Sequence, residues 1–382
     1  MTARRAVTVV FALNGLIFGA WAARLAAVGD RLDLSAGQIG VALGFIAAGS
    51  LVAMPLAGRA ASRFGSRPAT RVALAAFCGA SALAPAAPSL ALLCAACVLL
   101  GASGGSLDVV MNAHGVAVER EGDRPILSSF HAAFSLGGLV GALLGAGGAA
   151  AGIDVRVELA ALSAAAVVVG LLATRALLPA AADATGEPVR RSGRRHPELD
   201  RRLAILGALA FCCLLCEGAA ADWSAVYLDR DLAASAAMAG LAYAAFSVTM
   251  VAGRLAGDAL TVRFGPAVLV RRGAIVATAG FGAALIADDG VAALAGFACL
   301  GAGLSIVIPQ VFRAAAAGRD SGPALARVST VGYLGFLAGP PLIGGLAELT
   351  SLPAALALLP VLGVVMAVLA PLTRVPALER LP

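Results

Sequence analysis

The sequence predicts an all-α membrane protein of twelve transmembrane helices, arranged as two parallel six-helix repeats. Apolar residues make up 60% of the chain and charged residues only 13%, whereas soluble domains carry about 25% charged residues. Apolar stretches of about 20 residues recur, and each is long enough as a helix to cross a bilayer. Short motifs also recur at a spacing close to 200 residues. Together these observations favour a duplicated helical bundle inside a membrane.

Polar breaks divide the chain into successive spans. They fall at residues 29–35, 62–68, 85–89, 119–125, 152–156, 179–202, 228–235, 257–266, 287–290, 319–323 and 348–353. The apolar stretches between them are continuous and rich in Ala, Leu and Gly, so they favour helices over the alternating strands of a barrel. The break at 179–202 is the longest and is expected to be a cytoplasmic linker. It separates one predicted six-helix bundle, 1–178, from a second, 203–382.

The two halves share motifs in the same order. Arg63-Phe64-Gly65 recurs as Arg263-Phe264-Gly265, Leu100-Gly101-Ala102 as Leu300-Gly301-Ala302, and Ala57-Gly58-Arg59 as Ala252-Gly253-Arg254. Many secondary transporters are built from such repeats, with the working site at the repeat interface. The echo therefore predicts a transporter scaffold.

Arginine placement predicts the orientation, because basic residues near span ends are retained in the cytoplasm. With the N-terminus inside, the outer side keeps only Arg24, Arg31, Arg156 and Arg230, and the remaining 24 of the 28 basic residues lie inside. Both termini and both Arg-Phe-Gly loops are then cytoplasmic, which makes the repeats parallel. The net charge of +6 follows from this retention and from anionic lipid headgroups. No nucleic-acid partner is implied.

Two acids inside predicted spans are candidates for proton coupling. Asp108 lies near the middle of span 4, and Glu217 near the middle of span 7. A carboxylate within a bilayer is costly and usually faces a cavity or a partner, and one in a dry cavity can carry a proton. Asn112 follows Asp108 by one helical turn, and His131 reaches a similar depth on span 5. The alternative is that each acid only makes structural hydrogen bonds.

Further polar side chains suggest a substrate cavity and a gate. The predicted cavity residues are Asn14, Trp21, Asn112, His131, Tyr243, Gln310 and Tyr333. Polar groups beside aromatic rings suit a small polar solute, although ordinary helix packing explains each one equally well, and Trp21 also fits an interfacial anchor. Arg24 reaches a depth close to that of Asp222, so we expect an outer gate in which Arg24 pairs with Asp222 or Glu217.

The chain resembles the major facilitator superfamily in the connection between spans 2 and 3. The residues that carry this resemblance are Gly58, Arg59, Arg63, Gly65 and Arg67, repeated in the second half as Arg254, Asp258, Arg263 and Gly265. In that family, these residues lock helix ends on the cytoplasmic side. Ser62 stands where the motif usually has Asp. The stretches around Asp108 and Glu217 are similar to the fucose-permease-related bacterial inner-membrane branch, whose sugar symporters carry an acid in span 1, where this chain has Asn14 and Arg24.

The resemblance implies alternating access around one central site. We expect proton-coupled uptake of a small polar solute, such as a sugar-like metabolite, by a monomer in the bacterial inner membrane. Proton-coupled drug or metabolite efflux is the alternative, and a non-transporting membrane sensor is a remote one. No nucleophile and base pattern, metal-ligand set or nucleotide motif is present in the sequence, so neither enzyme activity nor a metal or cofactor is expected. The cysteines lie within apolar helices, where Cys is a small hydrophobe.

Overall fold

A computed structural model describes residues 1–34, 36–182, 197–317 and 321–374, which are nearly all helical and contain no β-strand. The first half holds α1 Ala3–Arg31, α2 Ala36–Phe64, α3 Ser66–Leu83, α4 Leu90–Gly122, α5 Leu127–Ala150 and α6 Val155–Ala173. The second half holds α7 Pro197–Val226, α8 Ala236–Phe264, α9 Pro266–Ala287, α10 Gly290–Leu304, α11 Val307–Ala315, α12 Ser321–Leu349, α13 Leu352–Leu356 and α14 Leu358–Leu369.

These helices make twelve spans, as the sequence predicts. In the described ranges, eleven helical segments are long and apolar enough to cross a membrane. Among them, α10 with α11 forms one segment and α13 with α14 forms another. The remaining span is α8, which has 29 residues and carries Arg254 and Asp258 within its length. The prediction of an all-α, twelve-span membrane protein is confirmed.

The chain divides into two compact units. Unit 1 comprises Met1–Ile126, Phe130–Gly193 and Gly318–Arg327, and unit 2 comprises Leu127–Ser129, Arg194–Ala317 and Val328–Pro382. The first turn of α5 therefore groups with unit 2, and the start of α12 with unit 1. The predicted bundle boundaries at 178 and 203 remain a prediction, and most of the predicted linker, 183–196, lies outside the described residues.

The repeated Leu-Gly-Ala motif lies at equivalent helix crossings in the two units. In unit 1, a methyl group on Gly101 of α4 would overlap the carbonyl oxygen of Ile46 on α2. In unit 2, a methyl group on Gly301 of α10 would overlap the carbonyl oxygen of Phe246 on α8. Gly301 follows Gly101, and Phe246 follows Ile46, by the same number of residues. The repeated Leu-Gly-Ala motif thus marks a crossing where two backbones touch, a packing mode typical of membrane helices.

Glycines also form a close seam between α1 and α5 in unit 1. Side chains placed on Gly15 and Gly19 would overlap the α5 backbone, and those on Gly137 and Gly141 would overlap the α1 backbone. In unit 2, Gly335 of α12 meets the backbone of Phe211 on α7 in the same way. These contacts fix the helices that carry the polar residues described below.

A single added methyl group tests the tightness of the α2–α4 crossing. Gly101→Ala forces the α4 helix away from Ile46, and overpacking of this kind typically costs about 1–3 kcal/mol. We expect the purified protein to unfold at a lower temperature in a detergent thermal-unfolding assay. Gly79→Ala on α3 is the matched control, since nothing lies within 4 Å of a methyl group there. Equal unfolding temperatures for the two variants would contradict the close crossing.

Candidate functional site

Asp108 and Asn112 form a hydrogen-bonded pair on α4 in unit 1. The Asn112 side chain is fully buried, and its Nδ2 donates to the Asp108 backbone oxygen at 2.8 Å and to Asp108 Oδ1 at 3.2 Å. Asp108 Oδ2 and Asn112 Oδ1 are buried and accept no hydrogen bond. Since buried polar atoms nearly always have a partner, these two neighbouring acceptors are open to a proton or to a hydrogen-bond donor.

Asn14 of α1 contacts α4 next to Asn112, and His131 of α5 contacts α1. Asn14 of α1 is buried, and its Nδ2 lies 3.7 Å from the sulfur of Met111, the residue before Asn112. His131 of α5 is 8% exposed and meets the ring of Phe11 edge-on, with centroids 5.5 Å apart. The structure thus places Asn14 of α1 beside the part of α4 that carries Asp108 and Asn112. It places His131 against α1.

Arg24 of α1 has a buried partner that the sequence alone does not identify. Its Nε lies 3.0 Å from Glu158 Oε2 of α6, with the two side chains 6% and 8% exposed, and its second nitrogen donates to the Ile153 oxygen at 2.5 Å. A side chain on Gly148 would overlap the Glu158 carboxylate, so this glycine leaves room for the pair. Glu158 follows a predicted break by two residues, which gives it the appearance of a loop residue.

Trp21 lies one turn before Arg24 on α1. It is 5% exposed, and its Nε1 donates to no partner. The burial argues against the interfacial-anchor interpretation, because an anchor keeps its polar edge in water. An unsatisfied indole N–H remains available to a ligand oxygen inside unit 1.

Glu217 of α7 faces Arg254 of α8 in unit 2. Arg254 NH2 lies 3.7 Å from Glu217 Oε2, an ion-pair distance that is too long for a hydrogen bond. Arg254 is 7% exposed and lies about 15 Å before the end of α8 at 1.5 Å per residue. The family resemblance groups Arg254 with the signature connection after span 8, and in the structure it lies within α8, which continues to Phe264.

The predicted gate joins residues of different units. Within unit 1, Arg24 lies at ion-pair distance from Glu158, and within unit 2, Arg254 lies at ion-pair distance from Glu217. Asp222 of α7 is exposed. The pairing of Arg24 with Asp222 or Glu217 remains a prediction.

The other cavity candidates in unit 2 lie in different surroundings. Tyr243 of α8 is 44% exposed and stacks on Phe246, with centroids 5.9 Å apart. Gln310 of α11 is fully buried; its Nε2 donates to Thr261 Oγ1 at 2.8 Å, and its Oε1 accepts from Arg313. Tyr333 of α12 is half-buried. Gln310 is thus held on both sides of its amide, whereas Tyr243 is open to a ligand.

The signature connections are almost entirely helical. Gly58, Arg59 and Arg63 lie in the last turns of α2, and Gly65 alone separates α2 from α3. Gly65 has φ 84° and its counterpart Gly265 has φ 72°, a backbone region that favours glycine. The loop expected between spans 2 and 3 is therefore a sharp turn at a single residue.

Arginines at these turns bind aromatic rings and backbone oxygens. Arg63 lies over the Phe64 ring at 4.9 Å, and Arg263 over the Phe264 ring at 5.2 Å. Arg67 donates to the Arg175 oxygen at 3.0 Å. The repeated Arg-Phe-Gly motif is therefore the same cation–π turn in both units.

Asp258 of α8 caps the first turn of α5 within unit 2. Its carboxylate accepts from the backbone N–H groups of Ser128 and Ser129, each at 2.9 Å, and from the Ser129 hydroxyl. Arg313 lies 3.9 Å from the same carboxylate. The free N–H groups and positive dipole of a helix start favour an anion. Asp258 therefore holds the first turn of α5 against α8, and its part in a cytoplasmic helix-end lock remains a prediction.

Two buried side chains near the turns are not identified as structural from the sequence. His114 Nε2 accepts from the Leu178 N–H at 3.1 Å, and its Nδ1 is 2.6 Å from the Ser66 hydroxyl. Glu119 Oε2 accepts from the Ile126 N–H at 2.7 Å. Both tie helix ends to connecting segments, and both lie on α4.

Comparison with known proteins gives the family context. The sequence pattern of the Major Facilitator Superfamily matches residues 7–317. An uncharacterised MFS-type transporter of Yersinia pestis is 34% identical over 90% of this chain and 89% of its own length. The membrane protein MosC of Rhizobium meliloti is 33% identical over 95% of this chain and 88% of its own length. The uncharacterised transporter y4wD of Sinorhizobium fredii is 33% identical over 98% of this chain and 99% of its own length.

Solved structures share the fold at low sequence identity. The E. coli fucose–proton symporter FucP matches with a TM-score of 0.82 and 16% identity, covering 97% of this chain and 98% of that chain. The proton–xylose symporter XylE, bound to 6-bromo-6-deoxy-D-glucose, matches with a TM-score of 0.76 and 15% identity, covering 100% of this chain and 96% of that chain. These likenesses establish the fold.

A charge deletion tests the buried pair in unit 1. Glu158→Gln leaves the Arg24 guanidinium without a compensating charge, and breaking a buried pair on one side typically costs about 3–5 kcal/mol. We expect a large fall in unfolding temperature and a partial recovery in the Arg24→Leu, Glu158→Leu double variant. Arg156→Gln removes one member of the exposed Arg156–Asp154 pair and should change little. A double variant no more stable than Glu158→Gln would contradict the pairing.

Proposed function

Because this chain belongs to the major facilitator superfamily, we propose that it takes up a small polar solute together with protons, by alternating access. The coarser part of this statement is established: the chain is a multi-pass membrane transporter, not an enzyme. Proton coupling, the kind of solute and the direction of transport are the proposal. The two solved proteins of the same fold are by name proton symporters for fucose and xylose, which supports it.

The observation that carries proton coupling is the open oxygen of Asp108. One carboxylate oxygen holds Asn112, while Oδ2 is buried and accepts no hydrogen bond. A charge inside the bilayer costs roughly 2.5–3.5 kcal/mol even on the lenient insertion scale. A proton on Oδ2 removes that charge, so the carboxyl group can exchange between a charged and a neutral form as the site opens to either side. Glu217 is the second proposed coupling residue.

The proposed substrate cavity combines polar atoms and rings. Its proposed residues are those that the sequence predicts: Asn14, Trp21, Asn112, His131, Tyr243, Gln310 and Tyr333. Asn112 Oδ1 offers an acceptor and Trp21 Nε1 offers a donor, each without a protein partner. Hydroxyl groups are both donors and acceptors, so a hydroxylated ring suits this combination. Aromatic faces can stack on the apolar side of such a ring.

The remaining elements of the proposal follow from the sequence. Arg24 with Asp222 or Glu217 forms the outer gate, and the Arg-Phe-Gly turns lock the cytoplasmic ends. The protein is a monomer in the bacterial inner membrane. Both termini lie in the cytoplasm, because nearly all of the arginines are then on the cytoplasmic side. Residues 1–178 and 203–382 are the two bundles, joined by the linker 179–202.

Proton movement with a solute tests this proposal directly. Cells that overproduce the protein are suspended in weak buffer, and a panel of neutral sugars, polyols and the sodium salts of sugar acids is added while external pH is recorded. At least one solute should raise the external pH, because protons enter with it. Asp108→Asn should abolish the rise at unchanged membrane abundance, since the amide cannot release a proton.

Asp154→Asn is the matched control, because Asp154 is an exposed acid between α5 and α6 and should leave the signal intact. A fall in external pH would indicate proton-coupled efflux instead. A full rise in Asp108→Asn would remove Asp108 from the coupling mechanism.

A further inference from the structure

Arg254 is a buried cation whose ion pair with Glu217 is long. Its guanidinium is 3.7 Å from Glu217 Oε2, and that oxygen accepts no hydrogen bond. A buried ion pair stabilises a protein only when its geometry is good and its remaining polar atoms are satisfied. This pair meets neither condition at Glu217. Its presence inside the bundle therefore points to a role other than stability.

The pair also distinguishes the second repeat from the first. The short sequence motif matches Arg254 to Arg59, which is exposed near the end of α2, and the 200-residue spacing of α2 and α8 matches it to the buried, apolar Met54. The helix α1, which matches α7, has no acid before Asp30. A feature present in only one copy of a duplicated scaffold is a candidate for substrate recognition, because the scaffold itself needs only what both copies share.

A polar stripe on α8 leads to Arg254. The stripe consists of Tyr243, Ser247, Arg254 and Asp258. Their spacings of four, seven and four residues put them on one helix face. Exposure falls along the stripe, from 44% at Tyr243 through half-buried Ser247 to 7% at Arg254. Polar side chains in a membrane helix usually face the bundle interior or a water-filled cavity. The stripe can therefore guide a polar solute to the guanidinium.

We propose that Arg254 binds the carboxylate of a small organic monoanion, such as a sugar acid, in competition with Glu217. This proposal rests on proton-coupled uptake and names its substrate class. Guanidinium binds carboxylate through two parallel hydrogen bonds, which Glu217 does not form at its distance of 3.7 Å. An incoming carboxylate with free choice of position can form them.

The competition couples the anion to one proton. In the empty site, the positive charge of Arg254 is balanced by ionised Glu217. In the loaded site, it is balanced by the substrate carboxylate, and Glu217 takes a proton onto its carboxylate because a third, uncompensated charge is unfavourable in the bundle. Arg254 stays protonated throughout. One anion and one proton then cross together, with no net charge movement.

Other titratable and charged groups lie on the helices packed against this pair. Cys213 and Tyr243 are close enough to interact electrostatically with both Glu217 and Arg254. Further such groups include Arg201, Arg202, Cys212, Cys216 and Asp222 on α7, Asp258 and Arg263 on α8, Arg271 and Arg272 on α9, Cys299 on α10, Arg313 on α11 and Tyr333 on α12. Asp258 and Arg313 interact with each other at 3.9 Å. Among the acids, Glu217 is therefore the one placed to exchange with a substrate at Arg254.

Matched acid and neutral ligands test the proposal on the purified full-length protein. The probes are D-glucuronate with D-glucose, D-galacturonate with D-galactose, and D-gluconate with D-glucitol, with sodium chloride added to equalise salt. At least one acid should raise the unfolding temperature at pH 6 more than its neutral partner. Arg254→Gln should lower the affinity for that acid by at least about tenfold, because a charged hydrogen-bond partner is lost. Arg59→Gln changes the exposed arginine that the short sequence motif matches to Arg254, and this variant should bind the acid with unchanged affinity.

Glu217→Gln provides a second readout that a structural role does not predict. The wild type should bind the acid more weakly as pH rises from 6 to 8, because binding takes up a proton. Glu217→Gln should lose this dependence and bind at least as tightly at pH 8. If Arg254→Gln does not fold, Arg254→Lys replaces it: the ammonium keeps the charge but not the bidentate geometry, and weaker binding is expected.

The outcomes separate this proposal from proton-coupled uptake in general. No stabilisation by any acid, or stabilisation that survives in Arg254→Gln, overturns the anion site. Proton-coupled uptake still stands in that case if a neutral solute raises external pH. Conversely, acid binding that depends on Arg254 but not on pH supports the anion site and overturns the coupling through Glu217.

Discussion

A hydrocarbon environment provides no hydrogen bonds and no counter-ions, so each buried charge needs a partner from the protein itself. This requirement shapes both units. Arg24 and Glu158 neutralise each other in unit 1, with Gly148 leaving room for the carboxylate. Asp258 meets the helix start of α5 and the Arg313 guanidinium in unit 2. Asp108 Oδ2 and Glu217 Oε2 are among the buried acceptors that have no hydrogen bond. The oxygens of Glu158 also accept none, but one of them lies 3.0 Å from Arg24 Nε, whereas Glu217 Oε2 lies 3.7 Å from Arg254.

The buried charged pairs also depend on close contact between helix backbones. Glycines at Gly101 and Gly301 let helices touch at equivalent points of the two units. Since a helix crossing at backbone distance has little freedom to shift, the polar side chains on α4 and α8 keep their register relative to α2 and α10. The repeat thus supplies a fixed frame, and the residues that differ between the copies, such as Asp108 and Glu217, give each unit its own chemistry.

The sequence was sufficient for the fold and for part of the site. Composition, span length and the repeated motifs determine twelve helices, and the one-turn spacing of Asp108 and Asn112 is enough to predict their contact. The partner of Arg24 was beyond reach, because Glu158 is distant along the chain and only helix packing brings them together. The length of α2 and α8 within the signature motif was also not evident from the sequence. A glycine with positive φ ends the helix in one residue, so a motif that resembles a long loop is helical almost to its last residue.

The one-residue turns at Gly65 and Gly265 also bear on how the protein is made. Helices α2 and α3, and likewise α8 and α9, are joined with no slack. Each pair is therefore suited to enter the bilayer as a preformed helical hairpin during synthesis. A side chain at either glycine would then impair biogenesis before it affected any folded molecule, and low abundance in the membrane would be its first symptom.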